Sequence, residues 1–147
     1  MKTYALSACI ITYGYVPLSG FGQNEAWAPE PIGERFTSVD GVDGSYAMSY
    51  TGARRWKVMI SLLQTSEHNA TLTGFHEADL ISAEKGGGGI VFPLAFKDPN
   101  GLDLFLAAEA RIMTPPSWKR SNKIEDQSWV LETGAAKCYL GRLGVDK

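Results

Sequence analysis

Hydrophobic and polar positions alternate with period two along most of this chain. Across positions 55–62, Trp56, Val58, Ile60 and Leu62 fall on one face and Arg55, Lys57, Met59 and Ser61 on the other, which predicts a half-buried strand. Positions 102–112 repeat the pattern over a longer run: Leu102, Leu104, Leu106, Ala108, Ala110 and Ile112 alternate with Asp103, Phe105, Ala107, Glu109 and Arg111. Trp129, Leu131 and Thr133 oppose Ser128, Val130 and Glu132 near the end, and positions 4–13 are rich in aromatic and β-branched residues, so both read as strands.

Turn chemistry joins these runs into hairpins. Asp98-Pro99-Asn100-Gly101 separates positions 90–96 from 102–112 and supplies an Asn-Gly pair that tolerates positive φ. Asp40-Gly41-Val42-Asp43-Gly44 separates 34–39 from 45–50, where Tyr46, Met48 and Tyr50 share one face. One segment breaks the alternation. Thr65-Ser66-Glu67 offers a capping hydroxyl and an acid for a first turn, and Leu72, Phe75, Leu80 and Ile81 follow at helical spacing, so one helix is expected over 67–83. Gly74 weakens it by about 1 kcal/mol relative to alanine, leaving tertiary packing to hold it. The remainder, 20–33 with Trp27, Pro29 and Pro31, and 114–126 with Pro115, Pro116 and Trp118, reads as extended loops, as does 40–44. The expected fold class is α+β, mostly antiparallel β: packed sheets or a barrel-like sandwich with one flanking helix, in a single domain over 1–147.

Composition narrows what such a domain does. At 147 residues, 44% hydrophobic and 20% charged, the chain is long enough to bury one core and lies outside the disordered range. Lys and Arg number 14 against 16 Asp and Glu, a net charge of -2, which argues against tight grip on nucleic-acid phosphates. No apolar run reaches the roughly 18 residues of a membrane helix, so no membrane partner is expected. Cys9 and Cys138 read as reduced thiols, and the lipoprotein-like Leu6-Ser7-Ala8-Cys9 as chance, because only eight residues precede the cysteine.

No constellation of reactive residues stands out. His68 and His76 lie eight apart, about 80° apart on a helix, and Leu80 occupies the place where a zinc motif has its second histidine. Gly86 to Gly89 lacks the following Lys-Ser/Thr of a phosphate loop and reads as a flexible connector, while Asp40 and Asp43 read as turn residues rather than calcium ligands. No nucleophile elbow is present, and Asn69-Ala70-Thr71 is discounted as a glycosylation acceptor. Arg54, Arg55 and Lys57 beside Trp56, and Lys119, Arg120 and Lys123 beside Trp118, read as a solvated rim or a subunit contact ahead of a nucleic-acid groove. Catalytic, metal and cofactor residues are therefore expected to be none.

The run Asp43-Gly44-Ser45, then 55–63 leading into Gln64-Thr65-Ser66-Glu67-His68-Asn69, resembles a family of bacteriophage structural proteins in which a strand closes in Leu-Leu-x-Thr-Ser-x-x-Asn before a helix. Phe92-Pro93-Leu94, Lys97 to Gly101, Ala107 to Ile112 and the strand around Trp129 continue the likeness over nearly the whole chain. The resemblance implies an inner-tube protein of a long-tailed, contractile-tailed phage: a non-enzymatic virion protein, assembled in the host cytoplasm, whose hexameric rings stack into a conduit for DNA. It implies as partners further copies of itself, the tail sheath, baseplate and terminator proteins, and transient non-specific contact with DNA in the lumen. The alternatives are a terminator or baseplate adaptor, or a small β-rich hydrolase working through Glu109 and Glu132.

Two sets of residues are expected to carry assembly. Trp27, Pro29, Pro31, Asp40, Val42, Asp43, Tyr46, Met48 and Tyr50 are candidates for contacts between subunits or rings, because exposed aromatic and apolar side chains on loops need a cover. Arg55, Lys57, Asp103, Glu109 and Arg111 are candidates for strand faces that line a lumen or meet a neighbour, and a second strand face with Phe105, Met113, Val130 and Met59 reads as too apolar for water.

Overall fold

In this computed structural model, residues 9–22, 26–98, 103–117 and 122–140 are described. Ten strands and one helix follow in the order β1 (Ile10–Tyr13), β2 (Val16–Pro17), β3 (Trp27–Pro31), β4 (Phe36–Asp40), β5 (Tyr46–Tyr50), β6 (Trp56–Leu63), α1 (His68–Glu84), β7 (Phe92–Lys97), β8 (Leu104–Thr114), β9 (Asp126–Thr133) and β10 (Ala136–Tyr139). Eight of the strands form one antiparallel sheet in the order β2-β1-β7-β8-β9-β6-β3, with β10 also paired to β8, and β4 pairs with β5 alone. The predicted α+β class, dominated by antiparallel strands with one helix, is the fold observed.

The sheet curls on itself, which makes it the barrel-like of the two expected forms. Trp27 of edge strand β3 stacks on Phe96 of β7 with ring centroids 4.9 Å apart, although β8, β9 and β6 lie between them in the sheet. The concave face collects Ile11, Val58, Ile60, Leu62, Leu94, Phe105 and Leu131, each at most 2% exposed, into one core. Burying each such side chain contributes about 1.5–3 kcal/mol. Helix α1 adds Leu72 to this core and sets Phe75 against Tyr13 and Phe92 at centroid distances of 5.3 and 4.5 Å.

The helix begins one residue later than expected. Ser66 Oγ, not a first-turn acid, accepts the His68 N–H (3.3 Å), and Glu67 is the N-cap without a side-chain bond of its own. Asn69 Nδ2 donates to the Leu63 carbonyl (2.8 Å) and Asn69 Oδ1 accepts from Trp129 Nε1 (3.0 Å), pinning the helix start to β6 and β9. The apolar stripe holds for Leu72 and Phe75 but fails for Leu80 and Ile81, which are 40% and 50% exposed. Asp79 is the buried residue of the second half.

Strand β8 departs from uniform alternation. Phe105 and Ala107 point inward, Ala108 and Glu109 are both exposed, and Ala110 and Ile112 resume the inward face. The phase slips because β8 changes partner there: Leu104 to Ala107 pair with β10, and Ala110 onward with β9. At the junction the β9–β10 chain bends and the Gly134 N–H donates to the Glu109 carbonyl (2.9 Å). On the β7 side, Phe92 opposes Ala110 while Leu94 opposes Ala107, one residue extra on β8, the signature of a β-bulge. Phe105 is consequently in the core at 2% exposure, contrary to its expected place on an outer face with Met113, Val130 and Met59.

The β7–β8 hairpin is closed by the Asp98 N–H donating to the Asp103 carbonyl (3.1 Å), with Lys97 opposite Leu104. Its Asn-Gly tip, Leu102, the start of the expected 4–13 strand, and Trp118, Lys119 and Arg120 lie outside the described residues.

Candidate assembly surfaces

The β4–β5 hairpin stands apart from the core, and every residue of both strands is exposed. Its turn is built by glycine and aspartate chemistry. Gly41 N–H donates to the Ser45 carbonyl (2.6 Å), Gly44 takes φ +88°, and Asp43 Oδ1 accepts from the Ser45 hydroxyl (2.6 Å) and N–H (3.2 Å). The hydroxyl first, and the backbone N–H with it, hold the exposed Asp43 carboxyl below its ordinary range. Phe36 opposes Tyr50, Ser38 opposes Met48 and Asp40 opposes Tyr46, so one face carries Phe36 (58% exposed), Tyr46 (72%), Met48 (68%) and Tyr50 (58%). Its root is fixed: Thr51 N–H donates to the Arg35 carbonyl (2.9 Å) and the Arg35 guanidinium lies 5.4 Å from the Trp56 ring centre. Of the expected contact residues, Asp40, Val42, Asp43, Tyr46, Met48 and Tyr50 thus lie together on one projection with Phe36, which the strand alternation around it did not single out.

Trp27, Pro29 and Pro31 lie elsewhere. Residues 20–33 are not a free loop, since Trp27–Pro31 form β3, pairing with β6 from Trp27 opposite Ile60 to Pro31 opposite Trp56. Trp27 is covered by its own core, stacked on Phe96 and edge-on to Phe105 at 5.4 Å. The prolines fit because β3 is the sheet's edge, where a missing N–H costs no ladder bond.

The five expected lumen or interface charges divide. Lys57 and Arg111 both oppose Glu132, a plus-minus-plus row across β6, β9 and β8, and Arg55 Nη2 pairs with Glu132 Oε2 at 3.1 Å. Glu109 joins Arg55, Arg111 and Glu132 around one shallow depression. Arg111 is not a freely presented charge: its Nε lies 2.9 Å from Asp79 Oδ2 and its Nη2 donates to the Gly88 carbonyl (3.0 Å), while Asp79 Oδ1 accepts the Ile90 N–H (2.7 Å). The end of the glycine run is thereby tied to α1 and β8 through Gly88 and Ile90. Gly89 sits at φ +86°, and a Cβ there would run into Asp79 Oδ1. Asp103 lies at the opposite end of β8, beside Cys138, whose thiol is raised by burial first and by the Asp103 charge second.

Two of the candidate reactive residues, His68 and Asn69, serve structural roles. His68 Nδ1 accepts from the Ser19 N–H (3.2 Å), tying the chain after β2 to the helix start, and Asn69 is committed to three hydrogen bonds. Glu132, one acid of the hydrolase alternative, is held by Arg55. Among the described residues no three His, Cys, Asp or Glu side chains gather as a metal site, and no helix is long and apolar enough to cross a membrane.

No family model matches the chain. It is 30% identical over 114 residues, 78% of its length, to Structural protein ORF10 of Pseudomonas phage KPP10, and spans 64% of that curated relative. Among solved structures it superposes on a chain of the anti-feeding prophage cap, a tube-terminating cap, with TM-score 0.62 and 14% identity, covering 95% of this chain and 93% of that one. A chain of the sheath/tube terminator of the PVC extracellular contractile injection system gives TM-score 0.63 at 12% identity, covering 95% and 98%. A chain of the PVC sheath–tube complex gives 0.59 at 11%, covering 94% and 92%. These likenesses are to structural proteins rather than enzymes. The chain is thus similar in sequence to a phage structural protein, and it shares its fold with chains of tube-terminating and sheath–tube assemblies.

Proposed function

We propose that the chain is a ring-forming subunit of the phage tail tube, built into the virion, with hexameric rings stacking into the conduit and meeting sheath, baseplate and terminator proteins at its surfaces and ends. The observation that carries this is the β4–β5 hairpin. A two-stranded hairpin is marginal alone in water, yet this one holds four large apolar side chains at 58–72% exposure on one face, an arrangement that suits cover by a neighbour. The net charge of -2 suits a passive conduit, because phosphate-neutralising contacts would hold DNA instead of letting it slide.

A second reading, a terminator ring that caps the tube, is suggested by the slightly higher TM-scores to chains of terminator assemblies, 0.62 and 0.63 against 0.59. Negative-stain microscopy and sedimentation of the purified protein separate the two. A tube subunit gives stacks that lengthen with concentration, a terminator stops at single rings, and a monomer at every concentration overturns both.

A further inference from the structure

We propose that the β4–β5 hairpin of one copy lays its apolar face across the outer face of β10, β8, β7 and β1 of the next copy, a head-to-tail contact. The inference deepens the ring-subunit reading and rests on it.

The receiving face follows from register. Lys137, Leu106, Ala95 and Thr12 stand opposite one another in a row across the four strands, as do Tyr139, Leu104, Lys97 and Ile10. Their chain neighbours Phe105, Phe96 and Ile11 point into the core, so these rows face outward. Ile10, Leu106 and Tyr139 are 48%, 44% and 48% exposed, too apolar a stretch for a sheet face meant for water. Tyr15 borders the same surface, 87% exposed and held at φ +66° in the two-residue β1–β2 turn. A non-glycine residue pays strain to sit there, and the result is another aromatic ring on the rim of the face.

Size and charge select the occupant. Five-residue strands reach about 17 Å, and four strands side by side are about 14 Å across, so the hairpin spans the face. The hairpin, residues 36–50, carries Asp40 and Asp43 and no Lys or Arg, whereas the two outward rows carry Lys97 and Lys137 and no acid. Two hairpins face to face bring no lysine to the aspartates, and two sheet faces together bring lysine against lysine. Only hairpin against sheet face opposes unlike charges, and since every copy bears both halves the contact repeats around a ring.

Disulfide trapping tests it directly. In a Cys138→Ser background, Met48→Cys and Leu106→Cys are made as separate proteins, mixed under mild oxidation and run on a non-reducing gel. A heterodimer that forms on mixing, in excess of either homodimer, is expected. Rings or tubes in the microscope without that heterodimer overturn the pairing while leaving the ring reading intact. A chain carrying both cysteines that closes only within itself also overturns the pairing. Neither assembly nor cross-link removes both. Independently, Lys97→Glu with Lys137→Glu is expected to raise the concentration needed for assembly about tenfold, two modest ion pairs turned repulsive, and Asp40→Lys is expected to recover part of that loss. Unchanged assembly of the double lysine variant counts against the contact.

Discussion

Tyr15 and Gly14 make the β1–β2 turn at φ +66° and +61°, the two positive angles that a tight two-residue hairpin connection requires. Asparagine tolerates this region better than tyrosine, so Tyr15→Asn is expected to raise stability by about 0.5–1 kcal/mol in urea unfolding while weakening assembly. Gly14→Ala does the reverse for stability, since its Cβ would lie 2.9 Å from Phe75 Cζ. Asp79 holds both Arg111 and the Ile90 N–H. Asp79→Ala is expected to cost about 1–3 kcal/mol by stranding those donors, read as a lower urea midpoint. Asp43 titrates below the ordinary carboxylate range because Ser45 bonds to its ionised form. A depressed folded-state pKa means the stabilisation is present above the unfolded value and is lost as pH falls through the folded one. Ser45→Ala is expected to move the Asp43 titration, followed by NMR, back toward its ordinary value. Asp43 as a turn residue was legible from its spacing to glycine; the Asp79–Arg111 clamp was not, because its partners lie on different elements.

At the scale of elements, β8 shows how far alternation carries. The strand was readable from its pattern, but Ala107-Ala108-Glu109-Ala110 contains no large apolar side chain to mark the phase, and the bulge follows from the exchange of β10 for β9 as neighbour. Phe105→Ala is therefore expected to cost about 3–5 kcal/mol, whereas Leu106→Ala leaves the unfolding midpoint nearly unchanged and impairs assembly. Reversed sensitivities would contradict the assigned faces. Strand β3 escaped notice for a different reason: Pro29 and Pro31 read as loop chemistry, and only an edge position makes them compatible with a strand. Helix α1 was placed within a residue because capping and periodicity are local, yet Leu80 and Ile81 stay exposed, and the second half of the helix instead buries Asp79 against Arg111 of β8.

For the whole molecule, the hairpin and the edge strand respond oppositely to removal. Replacing residues 36–50 with a short Gly-Ser linker is expected to leave a folded monomer, with circular dichroism and thermal midpoint little changed, because no core side chain comes from β4 or β5. Removing residues 26–31 is expected to unfold the chain, since Trp27 caps the curl against Phe96 and Phe105. Assembled protein is expected to bind duplex DNA no tighter than the nonspecific range of about 10⁻⁴ to 10⁻⁶ M at physiological salt. Nanomolar binding there would count against a passive conduit. Strand alternation, the two hairpin turns, the single helix and the apolar hairpin face are written in neighbouring residues, where side-chain period and turn chemistry act over a few positions, and the sequence by itself determined them. Which strands pair, where β8 changes face, that Trp27 packs against the core and that Arg111 is a clamp were decided only by the tertiary structure. Those outcomes depend on contacts such as the Tyr13 hydroxyl donating to the Ala110 carbonyl at 3.1 Å, 97 residues away, and no local pattern encodes which distant strand will supply the partner.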